Sequence, residues 1–205
     1  RMLGDGVADA ARIDRVVRLG GGFRMGPFEL IDLIGLDVNL TIARSFYAQG
    51  GEPERWRPSP IQERLVAEGR LGRKSELGFY DYRDPPSPNS PPNSPAVPLH
   101  RHSGQRNSWG VESTLDPQAL TKIDPAGPLI LPRLFAQIAN ETAFAREEEV
   151  ASPTDMETAM KLGLNWPLGP LAITELIGPA RALEILVALE AEQGEAYRAP
   201  PLLRS

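Results

Sequence analysis

The sequence predicts an all-α fold, and three observations carry that prediction. Ser-Pro and Gly-Pro pairs open apolar stretches and glycines close them, which is how helices start and stop. Within the stretches, apolar residues recur at i, i+3 and i+4 instead of alternating. β-character is confined to Phe79-Tyr80-Asp81-Tyr82.

Taken in order, Asp9 is a cap for a helix whose apolar side carries Ile13, Val16, Val17 and Leu19, and Gly20-Gly21-Gly22 ends it. Pro27 opens a short helix, because proline's fixed φ suits the first helical position, with Phe28, Leu30, Ile31, Leu33 and Ile34 expected on its buried face. A third helix is expected from Asp37 to Gln49, and a fourth from Ser59-Pro60 to about Gly69. Seven prolines then crowd between Pro85 and Pro98 among Ser and Asn residues. Proline offers no N–H to a helix or ladder, so residues 83–127 read as a largely irregular linker. Beyond it, a long apolar helix is expected over about Leu129 to Glu148, carrying Ile130, Leu134, Ile138 and Ala145, with Val150 just past its end. Ser152, Pro153 and Asp155 supply a cap, a first-turn proline and a first-turn acid for a helix that runs through Met156, Ala159 and Met160 to Gly163. Pro170 opens the next helix, and Ala180 to Gln193 forms another.

The two parts flanking the linker repeat each other. Shifted by 143 positions, Val7 to Gly35 aligns without a gap on Val150 to Gly178: Leu19-Gly20 on Leu162-Gly163, Gly26-Pro27 on Gly169-Pro170, and Leu33-Ile34-Gly35 on Leu176-Ile177-Gly178. Asp14 meets Glu157, Asp32 meets Glu175 and Phe23 meets Trp166, so character persists where identity does not. Arg57 to Ile61 echoes Arg198 to Leu202 at a shift of 141. The same register puts the counterpart of the 129–148 helix almost wholly before Arg1, so the first copy lacks a partner for its apolar face. This suggests a fragment of a longer chain.

Composition excludes several functions. The net charge of −5 opposes general nucleic-acid binding, which needs a basic face, and zero cysteines remove thiol nucleophiles and Cys-based metal sites. No apolar run approaches the ~20 residues of a membrane helix, so no membrane association is expected. His100 and His102, the two histidines, sit in the Pro/Ser stretch, where nothing holds them as base or ligand. Gly20-Gly21-Gly22 follows a helix instead of a strand and is not a phosphate-cradling turn. The Glu147-Glu148-Glu149 run and the Glu29/Asp32 pair read as solvated surface.

Two segments are more specific: Phe23-Arg24-Met25-Gly26-Pro27-Phe28-Glu29-Leu30-Ile31-Asp32-Leu33-Ile34-Gly35-Leu36-Asp37, and Gly69-Arg70-Leu71-Gly72-Arg73-Lys74-Ser75-Glu76-Leu77-Gly78-Phe79-Tyr80-Asp81-Tyr82. In order and spacing they resemble the C-terminal domain of the 3-hydroxyacyl-CoA dehydrogenases. Asn165-Trp166-Pro167-Leu168-Gly169-Pro170 resembles its tandem form. The resemblance implies two copies of a 6-phosphogluconate-dehydrogenase-C-terminal-like helical domain packed as a pseudo-dimer, over 1–82 and 128–205. It also shows departures. Glu76 stands where the family tail has glycine, and the second copy has no tail. The family's catalytic Asn-Arg pair falls on Pro132-Arg133 in the second copy, which therefore resembles a pseudo-site; Asn140-Glu141, two turns on, is no substitute.

What the resemblance implies for function is part of an NAD-dependent dehydrogenase that oxidises 3-hydroxyacyl-CoA to 3-ketoacyl-CoA, in the cytoplasm. NAD would be bound mainly by a Rossmann domain outside this chain, which would supply the catalytic His and Glu, leaving this chain inactive alone. Met25, Pro27 and Phe28 are the candidates for the acyl-chain wall, and Arg73 and Lys74 for the CoA phosphates. Relatives with one copy dimerise through this domain, so self-association through the bare face of the first copy is also expected. The rival reading is a non-catalytic all-α binding or assembly module derived from the same family.

Overall fold

The computed structural model describes residues 1–51, 53–83 and 115–204, and these residues form helices and turns without a strand. His100 and His102 lie outside them, as does most of the expected linker. The chain divides into two compact units: one holds residues 1–15 and 25–83, the other 16–24 and 115–204 among those described.

The first unit contains the start of α1 (Ala10–Leu19), then α2 (Pro27–Ile34), α3 (Leu36–Gln49), a 3₁₀ turn at Glu54–Trp56, α4 (Pro60–Ala67) and a second 3₁₀ turn at Arg73–Ser75. Asp9 Oδ1 accepts the Arg12 amide at 2.9 Å, the expected cap. Ile13, Leu36, Leu40, Leu65 and Tyr80 are buried. Gln62, buried on α4, donates to the Leu36 carbonyl at 2.8 Å and to Asn39 Oδ1 at 2.9 Å, fastening α4 to α3. The buried residue of α2 is Asp32; Leu33 and Ile34, expected inside, are exposed. The segment Phe79–Tyr82 forms no strand, and its neighbourhood has only the isolated bridges Gly72 to Leu77 and Leu77 to Asp81.

The second unit contains α5 (Pro117–Ile123), α6 (Gly127–Glu147), α7 (Pro153–Thr158) running on into a π turn at Ala159–Gly163, α8 (Pro170–Ile177), α9 (Pro179–Gln193), a 3₁₀ turn at Glu195–Tyr197 and α10 (Pro201–Arg204). The described end of the stretch read as linker is thus helical: Asp116 caps α5 by accepting the Gln118 and Ala119 amides. α6 packs against α5, α8 and α9, with Ile130, Leu131, Phe135, Ala136 and Ala139 buried. Residues from the first copy join this unit. A side chain at Gly20 would meet Leu120 at 2.9 Å and Leu131 at 3.3 Å, and Phe23 stands edge-on to Trp166 with ring centroids 5.4 Å apart.

The backbone carries the repeat where the side chains have drifted. Gly6, Gly22, Gly35 and Gly51 have positive φ, and at the 143 shift so do Glu149, Asn165, Gly178 and Gly194. At two of the four places glycine has been replaced without loss of the left-handed turn.

Candidate functional site

Two buried carboxylates organise the segments singled out above. Asp14, on α1, points at the start of α2. Its Oδ1 accepts the Phe28 amide at 3.0 Å, and its Oδ2 accepts the Glu29 amide at 2.9 Å and the Tyr80 hydroxyl at 2.7 Å. These two amides are among those a helix start leaves without an internal partner, so Asp14 caps α2 from a different helix. Glu29 Oε2 reaches back to the Gly26 amide at 3.0 Å. Gly26 has no room for a side chain, since a Cβ there would lie 2.2 Å from Asp14 Cγ.

Asp32, one turn further on, holds the tail. Its Oδ1 accepts the Phe79 amide at 2.9 Å, and its Oδ2 accepts the Tyr80 amide and the Tyr82 hydroxyl, both at 3.0 Å. The tail glycines provide clearance: a Cβ on Gly72 would stand 2.3 Å from the Asp32 carbonyl oxygen, and one on Gly78 2.2 Å from its Oδ1. Ser75 Oγ accepts the Leu71 amide at 2.8 Å and donates to the Leu77 carbonyl at 2.9 Å, closing the turn between. Glu76 keeps that turn with φ 55°, in the left-handed region.

The electrostatics follow from this burial. Desolvation pushes the Asp14 carboxyl up to about 7, against the pull of the Phe28 and Glu29 amides and the Tyr80 hydroxyl. Burial also raises Asp32, and it raises both tyrosines, each with a carboxylate beside its hydroxyl. The carboxylates give their oxygens to amides and phenols. They hold a frame and are poorly placed to take a proton from a substrate.

The second copy has half of this arrangement. Glu157 Oε1 accepts the Leu171 and Ala172 amides at 2.7 and 3.2 Å, the same positions Asp14 serves, and a Cβ on Gly169 would stand 1.9 Å from Glu157 Oε2. Glu175, the counterpart of Asp32, is exposed. The second clamp is therefore not formed among the described residues. The Glu29/Asp32 pair is therefore not solvated surface, because each acid has a structural partner. The recurrence of an acid at 14 and 157, upstream of Gly-Pro in both copies, was the signal that marked this role.

The residues expected to meet substrate are placed as follows. Met25, Pro27 and Phe28 lie together at the entry to α2, all half-buried. Phe28 packs on Phe79 with ring centroids 4.6 Å apart. Arg73 and Lys74 sit on the 3₁₀ turn of the tail. Arg73 lies over the Tyr82 ring at 5.4 Å, and Lys74 Nζ pairs with Asp37 at 2.6 Å. Among the described residues no group of His, Cys, Asp and Glu has a metal-holding arrangement, and no helix is long and apolar enough to cross a membrane. Among the described residues Gly20-Gly21-Gly22 follows α1 and no strand precedes a glycine-rich turn, so these residues do not form the strand–turn–helix that cradles a dinucleotide.

Comparison with known proteins agrees with this geometry. The family model for the 3-hydroxyacyl-CoA dehydrogenase C-terminal domain matches residues 1–82 and 129–205. A 3-hydroxyadipyl-CoA dehydrogenase of Escherichia coli K12 is 32% identical, with all of this chain aligned to 55% of its length. A probable 3-hydroxyacyl-CoA dehydrogenase of Caenorhabditis elegans is 45% identical over 40% of this chain and 28% of its own. Among solved structures, a 3-hydroxybutyryl-CoA dehydrogenase from Escherichia coli K12 superposes with a TM-score of 0.75 at 30% identity, over all of this chain and 55% of that one. The chain thus spans about half the length of the full-coverage relatives. It belongs to the 3-hydroxyacyl-CoA dehydrogenase family, through two segments of the C-terminal domain.

Proposed function

We propose that this chain forms the acyl-chain wall of an NAD-dependent 3-hydroxyacyl-CoA dehydrogenase acting on 3-hydroxybutyryl-CoA-like substrates in fatty-acid or aromatic-acid catabolism, in the cytoplasm. The observation that carries the reading is the clamp of Asp14 and Asp32, which fixes the Met25–Phe28 entry and the Gly69–Tyr82 tail as one rigid apolar frame. Oxidation of the hydroxyl, with NAD as hydride acceptor, belongs to a nicotinamide-binding domain outside these 205 residues, and no step of it is assigned to residues here. The chain's share is to exclude water and position the acyl group. Phe28 suits this, because its backbone is held by Asp14 and its ring by Phe79. Arg73 and Lys74 are the cations offered to the CoA phosphates. Lys74 would exchange Asp37 for a phosphate oxygen.

Three measurements test this reading. The purified chain should leave NADH absorbance unchanged with acetoacetyl-CoA, and fusion to an upstream nicotinamide-binding domain should give turnover. In the fused enzyme Phe28→Ala should raise KM about 10-fold, roughly the cost of one lost apolar contact. Turnover by the chain alone overturns the division of labour. A gene whose upstream sequence has no such domain, ending in a Gly-Phe-x-x-Asn-Arg-like stretch, favours the non-catalytic module instead.

A further inference from the structure

Two half-buried aromatic rings meet at the entry to α2, and each is fixed through its own backbone. The Phe28 and Phe79 ring centroids are 4.6 Å apart, with the rings tilted at 58°. Phe28 hangs by its amide from Asp14 Oδ1 at 3.0 Å, and Phe79 by its amide from Asp32 Oδ1 at 2.9 Å. Tyr80 joins the two anchors: its hydroxyl donates to Asp14 at 2.7 Å and its amide to Asp32 at 3.0 Å. Phe28 and Asp32 stand one turn apart on α2, so the circuit of contacts closes. Beside Phe79, Arg70 Nε donates to the Gly78 carbonyl at 3.0 Å, and the Gly78 amide donates to the Tyr80 carbonyl at 2.8 Å.

Packing alone does not require this arrangement. An aromatic ring whose task is burial goes inside, as Tyr80 does at 2% exposure. Phe28 and Phe79 keep part of their surface open while their backbones are held from below. Rigid apolar surface of this kind favours a ligand, because no side chain has to be ordered when it is covered. The arrangement also occurs once. At the 143 shift Leu171 takes the place of Phe28, and Glu175, in place of Asp32, is exposed.

We propose that Phe79 is a specificity-determining residue: with Phe28 it forms a two-ring platform for the acyl chain beyond its first four carbons. The proposal rests on the acyl-wall reading and names its substrate class, straight-chain 3-hydroxyacyl-CoA longer than the butyryl form. A short acyl group covers one ring, and a longer one reaches the second, 4.6 Å away. Each methylene laid on the platform leaves water, worth up to about 4-fold in affinity where burial is complete. The adenine of CoA is the rival occupant, since bases stack on aromatic rings. A flat base cannot lie on both rings at a 58° tilt, whereas a flexible hydrocarbon follows both.

The test is an NMR titration of the intact 205-residue chain with butyryl-, hexanoyl- and octanoyl-CoA, and with free CoA, following the Met25, Phe28 and Phe79 side-chain signals. The expected result is one saturable site per chain that shifts both rings, with affinity rising about 10-fold from butyryl- to octanoyl-CoA. Phe79→Ala should abolish that rise and leave butyryl-CoA affinity nearly unchanged. Phe79→Leu, which keeps apolar bulk in case alanine unsettles the fold, should remove about half of it. Leu129→Ala, at an exposed position on α6, should change nothing. Shifts at Met25 and Phe28 without Phe79, or a length dependence that Phe79→Leu leaves intact, overturn the proposal while the acyl wall stands. Free CoA that shifts Phe79 as strongly as octanoyl-CoA gives the platform to adenine and overturns it too. No shift at any of the three side chains with any acyl-CoA overturns the proposal and the acyl wall together.

Discussion

Glu76 occupies a left-handed position, φ 55° and ψ 8°, on the turn that delivers the tail to Asp32. A side chain with a Cβ costs about 1–2 kcal/mol there, and glycine does not. The Glu76 side chain is exposed and its backbone oxygen, which accepts the Tyr82 amide at 2.9 Å, survives substitution. Glycine gives part of the gain back as extra freedom in the unfolded chain. Glu76→Gly should therefore stabilise the protein by about 1 kcal/mol, read as a rise of roughly 3 °C in Tm, and no rise would mean that the turn carries no strain. Asp14 governs a pH dependence of opposite sign to that of an acid held ionised by a salt bridge. Its carboxyl is raised in the folded protein, to about 7 from 3.8, so the folded state binds the proton more tightly than the unfolded state. The stability from this group is complete below pH ~4 and is lost as pH rises through 7, with an upper bound of about 4 kcal/mol. Burial raises Asp32 as well, in the same sense. Urea denaturation of the chain between pH 4 and 8 should show stability falling over that range, and Asp14→Asn should flatten the slope. Stability that climbs steadily from pH 4 to 8 would remove the case for a raised Asp14.

At the scale of elements, the parts legible in the sequence were those with local causes. α2, α4, α7 and α8 begin at prolines following Gly or Ser, and α3 and α9 lie where apolar spacing and closing glycines put them. What local pattern missed was decided by contacts far along the chain. α2 reads as an apolar helix, yet its buried residue is Asp32, because the tail some 47 residues later brings two amides and a hydroxyl to its carboxylate. Leu33 and Ile34 look like core and are exposed, whereas Ile177, the counterpart of Ile34 on α8, is buried where α6 packs. α5 was hidden by its position behind the proline-rich run, although Asp116-Pro117 is the same start signal recognised at Ser152-Pro153. For the candidate site, the motif residues were found but the clamp was not. Asp14 matches Glu157 in the repeat, but the hydrogen bond that ties it to the tail comes from Tyr80, 66 residues away.

The whole molecule is not two copies standing as two units. α1 is shared: residues 10–15 count with the first unit, while residues 16–19 and the glycines after them count with the second. Val16 and Val17 are fully buried, and Gly20 and Gly21 approach Leu131 so closely that any side chain there would press on it. Their counterparts at the 143 shift, Ala159 and Met160, are exposed and half-buried on the π turn. Sequence repetition alone would have assigned residues 16–24 to the first copy. A physical consequence follows for any attempt to separate the halves. Residues 115–205 produced alone lose Val16 and Val17 from their core, at about 1.5–3 kcal/mol for each buried valine, which is a large fraction of a domain's 5–15 kcal/mol. That segment should melt at a clearly lower temperature than the intact chain, and adding residues 1–83 in trans should restore much of the loss. Val16→Asp in the added segment should abolish the rescue, because it puts a carboxylate at a fully buried position. If residues 115–205 melt unaided at the temperature of the whole chain, the second copy is self-sufficient and the shared helix is only a tether.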